Sequence, residues 1–295
     1  MLRWRLLLGT LLIAAVVALG WLDDRSRLPG IALFPLLAIF TWLATGEMLR
    51  LLQAAGTRPI GWVAYVGNLA LISVAWATSL SHYVLTQASA KGESAGNGDS
   101  AAVSLLLTLA GSLLVAFLAE MRRYEGPGGT IANLGAAVLA MAYVGLLSSF
   151  MILLRMRWGI AALATLVVVV KFSDIGAYTV GRLVGRTKLA PRLSPGKTVE
   201  GGLGALVFGC FGAWLVFTGF GFPSHQWWRW IVFGLIAATG GMVGDLTESL
   251  LKRDAGRKDS SQWMPGFGGV LDIFDSLLVA APVVYACWLG GLVGR

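Results

Sequence analysis

The chain has 295 residues, is 57% hydrophobic and only 13% charged, and has a mean hydropathy of +0.75. Those figures exclude an ordinary soluble domain and place the chain among integral membrane proteins. The net charge of +8 does not mark a nucleic-acid binder, because the position of the basic residues relative to the apolar runs already accounts for it.

Crossing a hydrocarbon core of roughly 30 Å takes about 20 mostly apolar residues. Nine segments qualify: Leu6–Leu22, Ile31–Leu52, Ile60–Thr86, Ala101–Leu118, Ile131–Leu154, Trp158–Val180, Gly201–Phe220, Trp230–Leu251 and Gly269–Val293. Runs such as Leu163 to Val170 are continuous and do not alternate in polarity as barrel strands do. The expected fold is therefore all-α, a polytopic transmembrane helical bundle of about nine spans. With the N-terminus cytoplasmic, fifteen of the 23 Lys and Arg residues fall on the cytoplasmic side and seven opposite, with Lys171 inside a span. That asymmetry is the positive-inside pattern. Arg3 and Arg5, an apolar stretch and then Ala18-Leu19-Gly20 also have the form of a secretory signal. Losing that segment would break the charge alternation, so it is read as a span.

Before residue 170 the spans carry few ionisable side chains, Glu47 being the chief exception. Beyond it, eight of the fifteen acidic residues gather with nine Lys or Arg on two cytoplasmic loops and the adjoining span ends. The expected division is a transmembrane scaffold over 1–157 and a catalytic region over 158–295. Cys210 and Cys287 both lie in spans and read as packing residues. His82 and His225 fall on the far side of the membrane, so no imidazole is at hand for acid-base work near those loops.

Asp174 in the sixth span follows Lys171 by three residues. A charge at this depth costs about 2.5 to 3.5 kcal/mol and calls for a partner. The spacing allows either a self-neutralising pair or a metal-ligating carboxylate. The loop that follows, Gly185 to Gly202, holds Ser194-Pro195 at an expected helix start with Lys197, Thr198, Glu200 and paired glycines close behind. This is a plausible anion cradle, without the spacing of a P-loop. At the end of the eighth span Asp245, Glu248, Ser249 and Lys252 share one helix face. Asp272 and Asp275, three residues apart, open the ninth span after Gly268-Gly269. Carboxylates there suit a helix N-terminus, and near Asp245 they would offer the all-oxygen surroundings that magnesium prefers.

Ser249-Leu-Leu-Lys252-Arg253, Lys258-Asp259, Pro265-Gly-Phe267-Gly268-Gly269 and Asp272-Ile273-Phe-Asp275 together resemble the signature of the phosphatidate cytidylyltransferase (CDP-diacylglycerol synthase) family. Asp174-x-x-Ala177-Tyr178-x-x-Gly181 and Ser194-Pro195-x-Lys197-Thr198-x-Glu200-Gly201 resemble that family's upstream pattern. The likeness covers about residues 170 to 280, with two departures: Phe267 stands in place of His, and Ile273 in place of Arg. It implies transfer of the cytidylyl group of CTP to phosphatidic acid, with Mg2+, giving CDP-diacylglycerol and pyrophosphate in phospholipid biosynthesis. It also implies a site facing the cytoplasm, at the inner membrane in a bacterium, and a homodimer as one open assembly. By the same resemblance Asp245, Asp272, Asp275 and Lys252 carry catalysis, and Asp174, Asp245, Asp272 and Asp275 organise metal. Ser194, Lys197, Thr198, Glu200, Arg253, Lys258, Asp259, Gly268 and Gly269 hold nucleotide. Left open are transfer to another lipid phosphate or alcohol, ion-coupled transport, and a structural protein without activity.

Overall fold

In hydrocarbon, only a helix satisfies every backbone group of a single crossing segment from within, and the greater part of each of the nine expected segments lies on helix. The computed structural model describes residues 2–88, 99–222, 227–261 and 268–293, apart from the side chains of residues 2–8, 12, 88, 99 and 100. The helices are α1 (Leu2–Arg25), α2 (Leu33–Ala54), α3 (Gly61–Ala88), α4 (Asp99–Arg123), α5 (Thr130–Ala140), α6 (Leu147–Trp158), α7 (Ile160–Val184), α8 (Val199–Gly219), α9 (Trp227–Asp254) and α10 (Leu271–Leu289). A π-helical turn, Met141–Leu146, joins α5 to α6, so these form one crossing. Eight crossings among the described residues are long and apolar enough to span a membrane, and α1 stands outside that set.

The chain divides into two compact units. The first comprises 1–159 together with 255–272, and the second 160–254 together with 273–295. The first thus gathers the loop before α10 along with the N-terminal helices. The end of α1 is tied to α6 by a buried ion pair: the Arg155 Nε of α6 donates to Asp23 Oδ2 at 2.7 Å, and the same carboxylate accepts from Gly30 N at 3.1 Å and Ala32 N at 2.9 Å. Both charges are therefore matched by hydrogen bonds, the condition for tolerating an ion pair away from water.

The second unit is built on close helix approach at glycines. A Cβ on Gly176 of α7 would stand 2.5 Å from Gly204 O of α8, and one on Gly234 of α9 would stand 2.6 Å from Cys210 Cα of α8. Backbones can approach this closely only where side chains are missing, and dispersion then replaces the hydrophobic force that lipid cannot supply. α7 and α8 are joined by an antiparallel pair of short strands, β1 (Lys188–Ala190) and β2 (Ser194–Thr198). The expected helix start at Ser194-Pro195 is not found. Pro195 holds its own φ and pushes the residue before it into extended backbone, so the helix begins only at Val199, capped by Thr198, whose Oγ1 accepts from Gly201 N at 3.1 Å.

Candidate active site

Within the second unit, four carboxylates and three lysines from α7, β2, α9 and α10 stand together. Lys171 Nζ bonds Asp174 Oδ2 at 2.9 Å, one helical turn along α7, and reaches Ile273 O and Ser276 Oγ of α10, each at 3.3 Å. Lys197 Nζ of β2 meets Asp245 Oδ2 of α9 at 3.0 Å. Lys252 Nζ meets Glu248 Oε2 one turn back along α9 at 2.5 Å. Asp275, 5% exposed, accepts from Ser276 N at 2.6 Å, shares a hydrogen bond with the side chain of Glu248, and lies within electrostatic reach of Asp245 and Lys171. Asp174 is likewise in reach of Asp245 and Lys197.

The local reasons are legible. Turns of α9 put Asp245, Glu248 and Lys252 on one face. Gly244 lets that face close on α10, since a Cβ there would lie 2.6 Å from Asp275 O and 2.8 Å from Ser276 Cα. Two carboxyl groups as near as Asp275 and Glu248 hold either a proton or a cation between them. With Asp245 alongside, the donors are hard oxygens only, which fits a divalent ion of the magnesium type.

In the first unit a second polar knot surrounds the start of α10. Asp272 Oδ2 accepts three hydrogen bonds, from Gly269 N at 2.6 Å, Ser260 Oγ at 2.8 Å and Ser260 N at 3.1 Å. Glu47 of α2 accepts from Leu271 N at 2.8 Å and Val270 N at 3.1 Å, and its Oε2 lies 3.0 Å from Ser260 Oγ, whose single proton serves one of the two carboxylates at a time. Gly268 adopts φ +85°, a left-handed conformation that suits glycine.

Asp174, Lys197, Asp245, Lys252 and Asp275 are gathered in one cluster. Asp272 is bound into the Gly268–Leu271 turn, and among the described residues no three or more His, Cys, Asp or Glu side chains converge closely enough to hold a metal ion. Asp272 Oδ2 serves as the turn's internal acceptor. Thr198 is a helix cap and Glu200 an anchor, accepting from Arg186 N and Thr187 N, each at 3.1 Å. Arg253, exposed, donates from Nε to Leu193 O at 3.1 Å. Ser194 is half-buried on β2, and Lys258 and Asp259 are exposed. Pro265 and Phe267 lie outside the described residues. Of the groups the sequence did not single out for the site, Glu248 was visible as a neighbour of Asp245 and Glu47 as a charge within a span. Ser260 and Ser276 carried no signal, since serines are common in loops and helix ends alike.

The Cytidylyltransferase family profile matches residues 3–289. The chain belongs to the Cytidylyltransferase family. Among relatives in that family, a phosphatidate cytidylyltransferase of Synechocystis is 30% identical over 310 aligned residues, which take in 93% of this chain and 94% of the relative. One of Pseudomonas aeruginosa is 33% identical over 252 residues, 84% of this chain and 85% of its own. One of Bacillus subtilis is 36% identical over 158 residues, 53% of this chain and 58% of its own. Membership makes the chain a nucleotidyltransferase, which gives the paired lysines and carboxylates of the second unit a chemical purpose.

Proposed function

We propose that this protein is a phosphatidate cytidylyltransferase, joining the cytidylyl group of CTP to phosphatidic acid. Buried Asp275 carries the reading: it meets Glu248 and faces Asp245 with lysines on either side, an arrangement that a purely structural helix contact does not call for. Near-full-length relatives bearing this enzyme name support it.

An oxygen of the lipid phosphate attacks the α-phosphorus of CTP. The bond from that phosphorus to the oxygen bridging it to the β-phosphate breaks, and pyrophosphate leaves. The attacking group is already an anion, so no side chain need remove a proton. Asp245 and Asp275 would hold Mg2+, with water and phosphate oxygens filling its remaining positions; the bound ion would supply charge neutralisation and in-line alignment of the phosphoryl oxygens. Lys171, Lys197 and Lys252 each bond a carboxylate and can exchange it for a phosphate oxygen, so charge stays balanced as the triphosphate enters. Arg253 and Lys258, exposed on the surface, would attract CTP. Asp272 and the Gly268-Gly269 backbone would shape the turn that opens α10. The acyl chains would remain in the bilayer, with the reaction at the cytoplasmic face of the cell membrane, as the positive-inside distribution of Lys and Arg supports.

Purified protein given labelled CTP, Mg2+ and a panel of lipid phosphates tests this. Label should pass into phosphatidic acid, and Asp275→Asn should lower transfer by at least about a hundredfold while the helical circular dichroism is retained. Label that stays in the aqueous phase with wild-type protein, or near-normal turnover by the variant, would refute the assignment. Transfer to a different lipid acceptor alone would keep the chemistry and move the substrate.

A further inference from the structure

Glu47 is a buried charge that the transfer chemistry does not use. It sits mid-α2, 3% exposed, more than 200 residues from the groups it binds. Both its oxygens are engaged: Oε1 by Val270 N, Oε2 by Leu271 N and Ser260 Oγ. Ser260 Oγ in turn lies 2.8 Å from Asp272 Oδ2. Glu47, Ser260 and Asp272 thus form a chain of contacts that ties Ser260 to the segment Gly269–Asp272. A Cβ on Gly269 would collide with Glu47 Oε2 and Ser260 Oγ, so the backbone there lies directly against the knot.

A carboxylate buried in a membrane helix is costly unless it is fully matched. A fold needing only α2 packing would place an apolar residue at this position. Glu47 instead accepts from the first free amides of α10, where the helix dipole favours negative charge, and helix α10 is the one that carries Asp275. An anion held on these amides fixes where α10 begins and the path of the Gly268-Gly269 backbone.

We infer that Glu47, through Ser260, is a positioning residue for the Gly268–Asp272 turn and sets the enzyme's use of CTP from the N-terminal part of the chain. This rests on the proposed cytidylyl transfer, and it assigns the N-terminal helices a part beyond supporting the bundle. Glu47 itself touches no substrate. Its replacement should alter the handling of nucleotide more than that of lipid.

The test uses full-length Glu47→Gln, Glu47→Asp and Ser260→Ala proteins, with two measurements. In steady-state kinetics, Glu47→Gln should lower kcat/KM for CTP about tenfold or more, with the KM for phosphatidic acid little changed. Ser260→Ala should do the same more mildly, and the double variant should be no worse than Glu47→Gln alone, because both break one chain of contacts. Glu47→Asp, too short to span the gap, should not restore activity. In hydrogen exchange, peptides covering 268–272 should lose protection in Glu47→Gln while those from α3 and α6 keep theirs. Equal losses in the CTP and lipid parameters, or unchanged exchange at 268–272, would overturn the inference. Should the wild-type protein fail to transfer label, the proposed function falls, and the exchange measurement still decides whether Glu47 holds the turn.

Discussion

At the scale of the residue, pairing decides what each charge in the membrane costs. Lys171 and Asp174 are both partly exposed within α7, their side chains 38% and 33% accessible, so their attraction is screened and contributes modestly. Removing only one of them is a different matter, because the other then keeps its desolvation cost without compensation. Lys171→Met should therefore lower stability by about 1 kcal/mol, discounted for that exposure, and Lys171→Met/Asp174→Asn should recover most of the loss. Thermal unfolding in detergent measures both. A double variant no more stable than the single would show that Lys171 acts chiefly through Ile273 O and Ser276 rather than through Asp174. The sequence made this pair legible because a three-residue spacing in a helix needs no tertiary knowledge. The knot that joins Glu47, Ser260 and Asp272 was not legible. Ser260 lies in a loop and Glu47 lies 213 residues before it, and no periodicity connects positions that meet only through the fold.

At the scale of the element, the spans were readable because hydrocarbon imposes one solution on long apolar runs, whereas the β1–β2 hairpin was not. Its strands, Lys188–Ala190 and Ser194–Thr198, are short and lack alternation, so Pro195 looked like a helix start when it is part of an extended segment ending at the Thr198 cap. The hairpin matters because it presents Lys197 to Asp245. The approach of α9 to α10 is as consequential, and it turns on one glycine. An added methyl at Gly244 would meet backbone atoms at 2.6 and 2.8 Å, which cannot rotate away. At Gly202 of α8, the nearest atom would be Met242 Sδ at 3.8 Å, an ordinary contact. Gly244→Ala should therefore cost about 1 to 3 kcal/mol of stability and most of the transfer activity, while Gly202→Ala leaves both near wild type. Assaying the two variants side by side separates helix approach from any general effect of glycine replacement; equal behaviour would mean that α9 and α10 yield without harm.

At the scale of the whole molecule, chemistry and topology must agree. CTP is a polyanion that does not cross a bilayer, so the residues proposed to receive it have to lie on the side where nucleotide is made. The basic residues argue the same way: the segments holding Arg182 to Lys197 and Lys252 to Lys258 are the most cationic in the chain, and cationic loops remain cytoplasmic. Arg192 and Lys258 are exposed on these segments, and Arg27 is exposed before α2, on a connection assigned by the charge pattern to the opposite face. In protein whose Cys210 and Cys287 are replaced by alanine, single cysteines at 192, 258 and 27 can be challenged with a membrane-impermeant maleimide. Cysteines at 192 and 258 should label in everted vesicles only, and cysteine at 27 in right-side-out vesicles only. The reverse pattern would place the lysine and carboxylate cluster beyond the reach of CTP, and cytidylyl transfer could not then be the function, however well the geometry suits it.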